Sequence, residues 1–149
     1  MAENPMTEKE YKRTKSFIRY FARVNVWVYK LTGGRLMHTF SGCEICLVKM
    51  TGAKSGKVRW MPVMYVPWKE GIIIVASLGG APRNPTWYYN LVAHPDIEFQ
   101  FKGTRKQVRA REVFGEEKAA VWPTCVEHYP PYADYQARTD REIPVFICE

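Results

Sequence analysis

From Thr51 the chain reads Thr-Gly-Ala-Lys-Ser-Gly-Lys-Val-Arg, ending at Arg59. Two glycines let main-chain N–H groups turn toward a ligand, Ser55 adds a hydroxyl, and Lys54, Lys57 and Arg59 bring charge. Those are the parts of a phosphate cradle. The spacing is not that of a Walker A loop, G-x-x-x-x-G-K-[ST]. A basic hairpin turn uses the same residues, and both readings stand on this segment alone.

A second constellation runs Ala-Ser-Leu-Gly-Gly-Ala-Pro-Arg-Asn-Pro-Thr-Trp-Tyr-Tyr-Asn from Ala76 to Asn90. An apolar strand delivers Ser77 to a Gly-Gly break, where backbone can approach a ligand, and a helix N-terminus follows with its positive dipole. Trp87 and Tyr88 add flat apolar surface beside that anion site. A third group is Tyr129, Tyr132 and Tyr135, spaced by three with prolines between. These either line an apolar pocket and present hydroxyls or form a packed corner. His38, His94 and His128 are scattered, and no serine lies in a G-x-S-x-G. Such poor side-chain catalysis suits a cofactor that carries the chemistry itself. Cys43 and Cys46 form a C-x-x-C, but on a strand positions three apart face opposite sides. With no second such pair, no metal site is expected, and the cysteines read as small buried residues.

The elements that must position these groups follow from periodicity. Phe17, Tyr20, Phe21, Val24, Trp27, Val28 and Leu31 recur at helical spacing over Ser16 to Leu31, with Lys15, Arg19, Arg23 and Lys30 on the other faces. This basic amphipathic helix either packs on the core or lies on an anionic membrane surface. Gly33 and Gly34 stop it. Residues 1–15 are polar and expected to be flexible, leaving 16–149 as a single domain. Strands are expected at Glu44 to Met50, Val58 to Trp68 and Ile72 to Ser77, with Pro62 and Pro67 marking edges or bulges. A helix capped by Asn84 with Pro85 at its first position runs through Leu91. Residues 97–102 and 104–113 read as a hairpin, Gly115 to Glu127 as a helix kinked or interrupted at Pro123, and Ile143 to Cys148 as a last strand. Mostly antiparallel strands with peripheral helices make an α+β barrel or sheet.

The 149 residues suit one ordinary domain, and 46% hydrophobic with 25% charged residues excludes a disordered chain. The longest aliphatic run, Ile72 to Ala76, is far below the ~20 residues of a membrane span. Glu3, Lys9, Glu10 and Lys12 leave no apolar leader in the first residues, so a soluble cytoplasmic protein is expected. The net charge is +7. Residues 1–40 carry +5, residues 41–111 carry +7 and residues 112–149 carry −5. An anionic partner for the middle of the chain is therefore the first question. Nucleic acid is disfavoured, because no reading helix or stacking motif accompanies the basic residues.

Three ordered motifs then become specific together. The run T-G-x-K-[ST]-G-x-x-R, then A-S-x-G-G-x-x-x-N-P-x-W-Y-x-N-L, then Y-P-x-Y-x-x-Y-Q-x-x-T-D-R-x-I-P resembles the deazaflavin (coenzyme F420)-dependent nitroreductase family. The resemblance extends from about Phe17 to Glu149 and includes Asn25-x-Trp27-x-Tyr29. It implies a split β-barrel with helices around it and a deazaflavin cofactor whose tail carries a phosphodiester and several glutamates. By position, Leu47, Val48 and Lys49 would border that cofactor. Ala53, Lys54, Ser55, Gly56, Lys57, Val58 and Arg59 would hold its phosphate and tail. Val75, Ala76, Ser77 and Leu78, with Thr86, Trp87, Tyr88, Tyr89 and Asn90, would contact the rest. Tyr132 would close over the deazaflavin, with Tyr129 and Tyr135 shaping the substrate side. Ser77 and the three tyrosines are the candidates for polarising an acceptor oxygen or relaying a proton.

Three departures stand out. Ala53 replaces an arginine common in the family and Leu78 a lysine, so Lys49, Lys57 and Arg83 are the cations left to restore phosphate-side charge. Met64 sits where some relatives have a pocket tyrosine. The implied activity is hydride transfer from the reduced deazaflavin to quinones, activated enones or nitroaromatics, with a separate dehydrogenase regenerating the cofactor. An FMN-binding split-barrel oxidoreductase and a non-catalytic deazaflavin or membrane-surface binder are the alternatives. The first helix is the element that would hold the protein at the inner face of the membrane.

Overall fold

The computed structural model describes residues 2–40 and 42–149. Helix α1 spans Glu8–Thr32. Its start is a reciprocal cap: the Glu10 N–H donates to Thr7 Oγ1 at 3.2 Å, and the Thr7 N–H donates to Glu10 Oε2 at 2.8 Å. Gly33, at φ 62°, ends it in the left-handed conformation. The helix thus begins more than two turns ahead of the expected Ser16, because capping chemistry rather than an apolar repeat sets its first turn. Tyr11, in the stretch expected to be flexible, is buried.

The strands are β1 (Thr39–Phe40), β2 (Cys43–Thr51), β3 (Val58–Met64), β4 (Val66–Trp68), β5 (Gly71–Val75), β6 (Asp96–Phe101), β7 (Thr104–Val113) and β8 (Val145–Cys148). Helix α2 covers Thr86–Ala93, α3 Gly115–His128 and α4 Pro131–Ala137. All strand pairings are antiparallel, in the order β1-β2-β6-β7-β8-β5-β4, and β3 pairs the other flank of β2. Only Tyr65 separates β3 from β4, and its N–H donates to the Glu44 carbonyl at 2.8 Å. One bent strand therefore serves both ends of the sheet, which curls into the expected split barrel within an α+β fold. Pro62 opposes Leu47 and Pro67 opposes Ile72, each on a strand paired along one side only. A missing N–H costs no ladder bond there.

Period-two alternation divides the core in two. Ile72 and Ile74 point into the barrel with Cys46, Val48, Phe99, Val108 and Phe146. Ile73 and Val75 point outward, under α3 and α4, with Val121, Cys125, Tyr129, Tyr132 and Ile147. This burial on both faces explains the unbroken aliphatic run. Cys46 lies in the inner core and Cys43 against the outer one, as strand geometry requires.

Helix α1 buries a different face from the one its apolar repeat marks. Tyr11, Asn25 and Tyr29 are buried, and the Tyr29 hydroxyl accepts the Lys102 N–H. Phe17, Tyr20, Trp27 and Leu31 are instead 56%, 71%, 67% and 70% exposed. Arg141 also displaces a sequence expectation at α2. Asn84 does not cap that helix; its Oδ1 accepts from Arg141 Nη1 at 2.9 Å, and Pro85 takes the cap position.

Candidate functional site

The basic motif is the turn of the β2–β3 hairpin, whose ladder runs out to Thr51 opposite Val58. Within it the Gly52 N–H donates to the Lys57 carbonyl at 2.8 Å and the Gly56 N–H to the Gly52 carbonyl at 2.9 Å. Ser55 Oγ accepts the Lys57 N–H at 3.2 Å, which leaves its own proton to donate outward. Gly56 sits at φ 68°, where a side chain would strain the backbone. Asn90 Oδ1 accepts the Ala53 N–H at 2.9 Å, so α2 braces the turn from its side. Residues 53–59 are all exposed. Among the described residues no carboxylate pairs with Lys54, Lys57 or Arg59. The charge of this turn is thus not spent inside the protein.

Leu47 and Val48 are fully buried, so only their main chain can border a ligand, whereas Lys49 is exposed opposite Trp60 and Glu98. Of the cations that could restore the missing phosphate-side charge, Arg83 is already engaged. It lies 3.9 Å from Glu8 and 5.2 Å over the Tyr11 ring.

At the second motif β5 ends at Val75, and Ala76 and Ser77 are buried. Leu78, Gly79 and Gly80 then take φ of 46°, 65° and 79°, three left-handed residues in succession. The two glycines open less space than expected. A Cβ on Gly80 would meet the Tyr135 carbonyl oxygen at 2.6 Å, and one on Gly79 would touch Thr14 and Met6 of the N-terminal segment. Close approach at this break is to α4 and α1. In α2, Trp87 and Tyr88 pack against the inner core, and the Tyr88 hydroxyl donates to Glu112 at 3.0 Å. Thr86 and Tyr89 are exposed.

The structure brings the three tyrosines together. The Tyr129 and Tyr135 hydroxyls are 3.0 Å apart, and the Tyr132 ring centroid lies 4.9 Å from that of Tyr129 and 6.3 Å from that of Tyr135. Trp122 borders the group. Burial raises the Tyr132 phenol well above its ordinary range; burial, then the hydrogen bond shared with the Tyr135 hydroxyl, raises Tyr129. Both therefore stay protonated at neutral pH. Tyr129 and Tyr132 are buried in the outer core, and Tyr135 is the member partly open to solvent. Met64 packs against the same cluster.

Sequence reasoning assigned no role to Arg141, although the T-D-R of the third motif contains it. Its guanidinium reaches across to the Ser77 segment, with Nε donating to the Ala81 carbonyl at 2.7 Å and Nη2 to the Ser77 carbonyl at 2.8 Å. Only the long-range fold shows that the second and third motifs are one unit.

The family model described as F420H(2)-dependent quinone reductase matches residues 21–149. An F420H(2)-dependent quinone reductase of Mycobacterium tuberculosis is 36% identical over 129 residues, covering 84% of this chain and 87% of the relative. Among solved structures, an F420-H2 dependent reductase (FDR-A) is 48% identical with a TM-score of 0.67, over 70% of this chain and 93% of that one. Another, described as a domain-swapped dimer, is 43% identical with a TM-score of 0.68, over 85% of this chain and 99% of its own. The donor set of the β2–β3 turn fits an anionic cofactor tail: Lys54, Lys57 and Arg59, exposed and with no carboxylate partner among the described residues, share with Ser55 a turn already closed by its own hydrogen bonds. The chain belongs to the F420H(2)-dependent quinone reductase family and is an F420H2-dependent reductase with coenzyme F420 as its cofactor.

Proposed function

We propose that this reductase delivers hydride from F420H2 to quinones, and that activated enones and nitroaromatics of similar electron demand are also accepted. When bound, the reduced deazaflavin supplies the hydride, so the protein's work is binding, orientation and exclusion of water. Lys54, Ser55, Lys57 and Arg59 hold the phosphate and glutamate tail at the rim of the barrel. The Ser77 segment and α2, with Thr86 and Tyr89 exposed, border the ring system. Tyr135 donates its hydroxyl proton toward the acceptor oxygen, backed by the Tyr129 hydroxyl at 3.0 Å; Ser77 is the second donor. Tyr132 supports this pair through ring packing. A separate dehydrogenase must re-reduce the oxidised cofactor.

The uncompensated cations of the β2–β3 turn carry this reading. Its test is a pair of titrations: F420 binds with salt-sensitive affinity and FMN binds far more weakly. Tight FMN binding without F420 binding would replace it with the flavin alternative.

The exposed face of α1 supports a second element of the reading. Phe17, Tyr20, Val24, Trp27 and Leu31 form a continuous apolar stripe, with Lys12, Lys15, Arg19 and Arg23 exposed on the same helix. No helix of the described residues is long and apolar enough to cross a membrane. A stripe of this kind beside cations matches an anionic bilayer surface, where lipophilic quinones reside. The protein should sediment with vesicles containing anionic lipid and not with neutral ones, and Trp27→Glu with Leu31→Glu should abolish this. A stripe buried between two copies would instead give a dimer in solution and no vesicle binding.

A further inference from the structure

We infer that Arg141 is a positioning residue for the cofactor-bordering segment, holding Ala76 to Ala81 in the conformation that presents Ser77. The inference rests on the proposed docking of the cofactor beside that segment. Three consecutive left-handed residues, Leu78 among them, make a turn that its own chain does not favour, since a non-glycine residue at φ 46° is strained. Such a conformation persists only where its surroundings over-determine it. The turn's internal bonds are few: the Gly80 N–H donates to the Ser77 carbonyl at 3.0 Å and the Ala81 N–H to the Leu78 carbonyl at 3.1 Å.

Arg141 supplies the rest. Its Nη1 and Nη2 each donate to the Ala76 carbonyl at 3.3 Å, Nη2 to Ser77 at 2.8 Å, Nε to Ala81 at 2.7 Å, and Nη1 to Asn84 Oδ1 at 2.9 Å. One planar group thereby ties both ends of the turn together and anchors the approach to α2. Those carbonyls lie on buried or partly buried residues, where an unpaired acceptor is costly. Lysine has the charge but not the fork that reaches separate acceptors at once. Among the described residues no acidic side chain pairs with the guanidinium, so its donors serve main-chain carbonyls and the Asn84 amide oxygen. The Gly80 contact with Tyr135 fixes the same turn against α4, so Arg141 also sets where Ser77 lies relative to the tyrosines.

The test compares wild type with Arg141→Met, Arg141→Lys and the milder Asn84→Ala. Amide hydrogen exchange of the cofactor-free protein should show faster exchange at Gly80 and Ala81, with β6–β7 amides still protected. F420 dissociation constants, read by titration, should rise about tenfold in Arg141→Met, as for a segment competent a tenth of the time. The Asn84→Ala effect should be smaller, and added methylguanidinium should restore part of the Arg141→Met affinity. If Arg141→Met does not fold, the Lys and Asn84→Ala variants carry the same readings. Unchanged exchange, or faster exchange with unchanged affinity, overturns the assignment. Wild-type protein that does not bind F420 overturns the docking reading instead.

Discussion

Replacing Lys54 and Arg59 together by alanine should weaken cofactor binding at the proposed site while sparing the fold. Neither side chain contributes to the hydrogen bonds that close the turn, which run between Gly52, Lys57, Gly56, Ser55, Ala53 and Asn90. Both residues are exposed, so thermal stability should stay within about 0.5 kcal/mol of the parent. The loss falls on ligand charge. An exposed cation facing an anion at about 4 Å contributes about 1 kcal/mol in a high-dielectric setting. Two such losses approach about 2 kcal/mol, or roughly thirtyfold in dissociation constant. The Debye length is ~10 Å at 0.1 M salt, so the parent's affinity should fall as salt rises, and the double variant's should fall less steeply. The assay is F420 titration by fluorescence at two salt concentrations. A dissociation constant within twofold of the parent's, with the same salt dependence, would show that this turn is only a turn.

Two other outcomes follow from the packing. Tyr132→Ala should cost about 3–5 kcal/mol, because a nearly fully buried aromatic leaves a cavity among Trp122, Tyr129 and Tyr135. Tyr132→Phe should keep both stability and turnover, whereas Tyr135→Phe should lower kcat with stability unchanged; equal kcat losses in the two phenylalanine variants would refute the division of roles. Stability should also fall in alkali. Burial pushes Cys125 and Cys148 from 9.0 up to about 12, so the unfolded chain loses those protons first. Their contribution is intact below pH 9 and declines as pH rises toward 12, by at most about 1.4 kcal/mol per pH unit for each thiol. Urea unfolding at pH 8, 9.5 and 10.5 measures this, and a flat profile would contradict the burial of both thiols.

Local chemistry made much of the fold legible. The Lys102-Gly103 hairpin, the unbroken Ile72–Val75 strand and the helix from Gly115 lie where turn residues and periodicity place them, although that helix runs on through Pro123 without the expected interruption. The register of α1 was not legible, because the helix has two apolar faces. The one with the cleaner repeat, Phe17 to Leu31, faces outward, while the buried face carries polar-tipped Tyr11, Asn25 and Tyr29. Their partners, such as the Lys102 N–H and the Met37 carbonyl, are distant in the chain. Asn84 failed as a cap for the same reason, since a guanidinium 57 residues away claims its oxygen. In the candidate site, the turn and its exposed cations were readable residue by residue. The cover over Gly79 and Gly80 was not, because it comes from α1 and α4.

The proposed activity is hydride delivery from F420H2 to a quinone. Anaerobic mixing of F420H2 with a naphthoquinone and catalytic amounts of protein tests it most directly. Protein-dependent consumption of F420H2, one equivalent per quinone reduced, is the expected result. Cofactor that binds yet is never consumed, with quinone, enone or nitro acceptors alike, would contradict it.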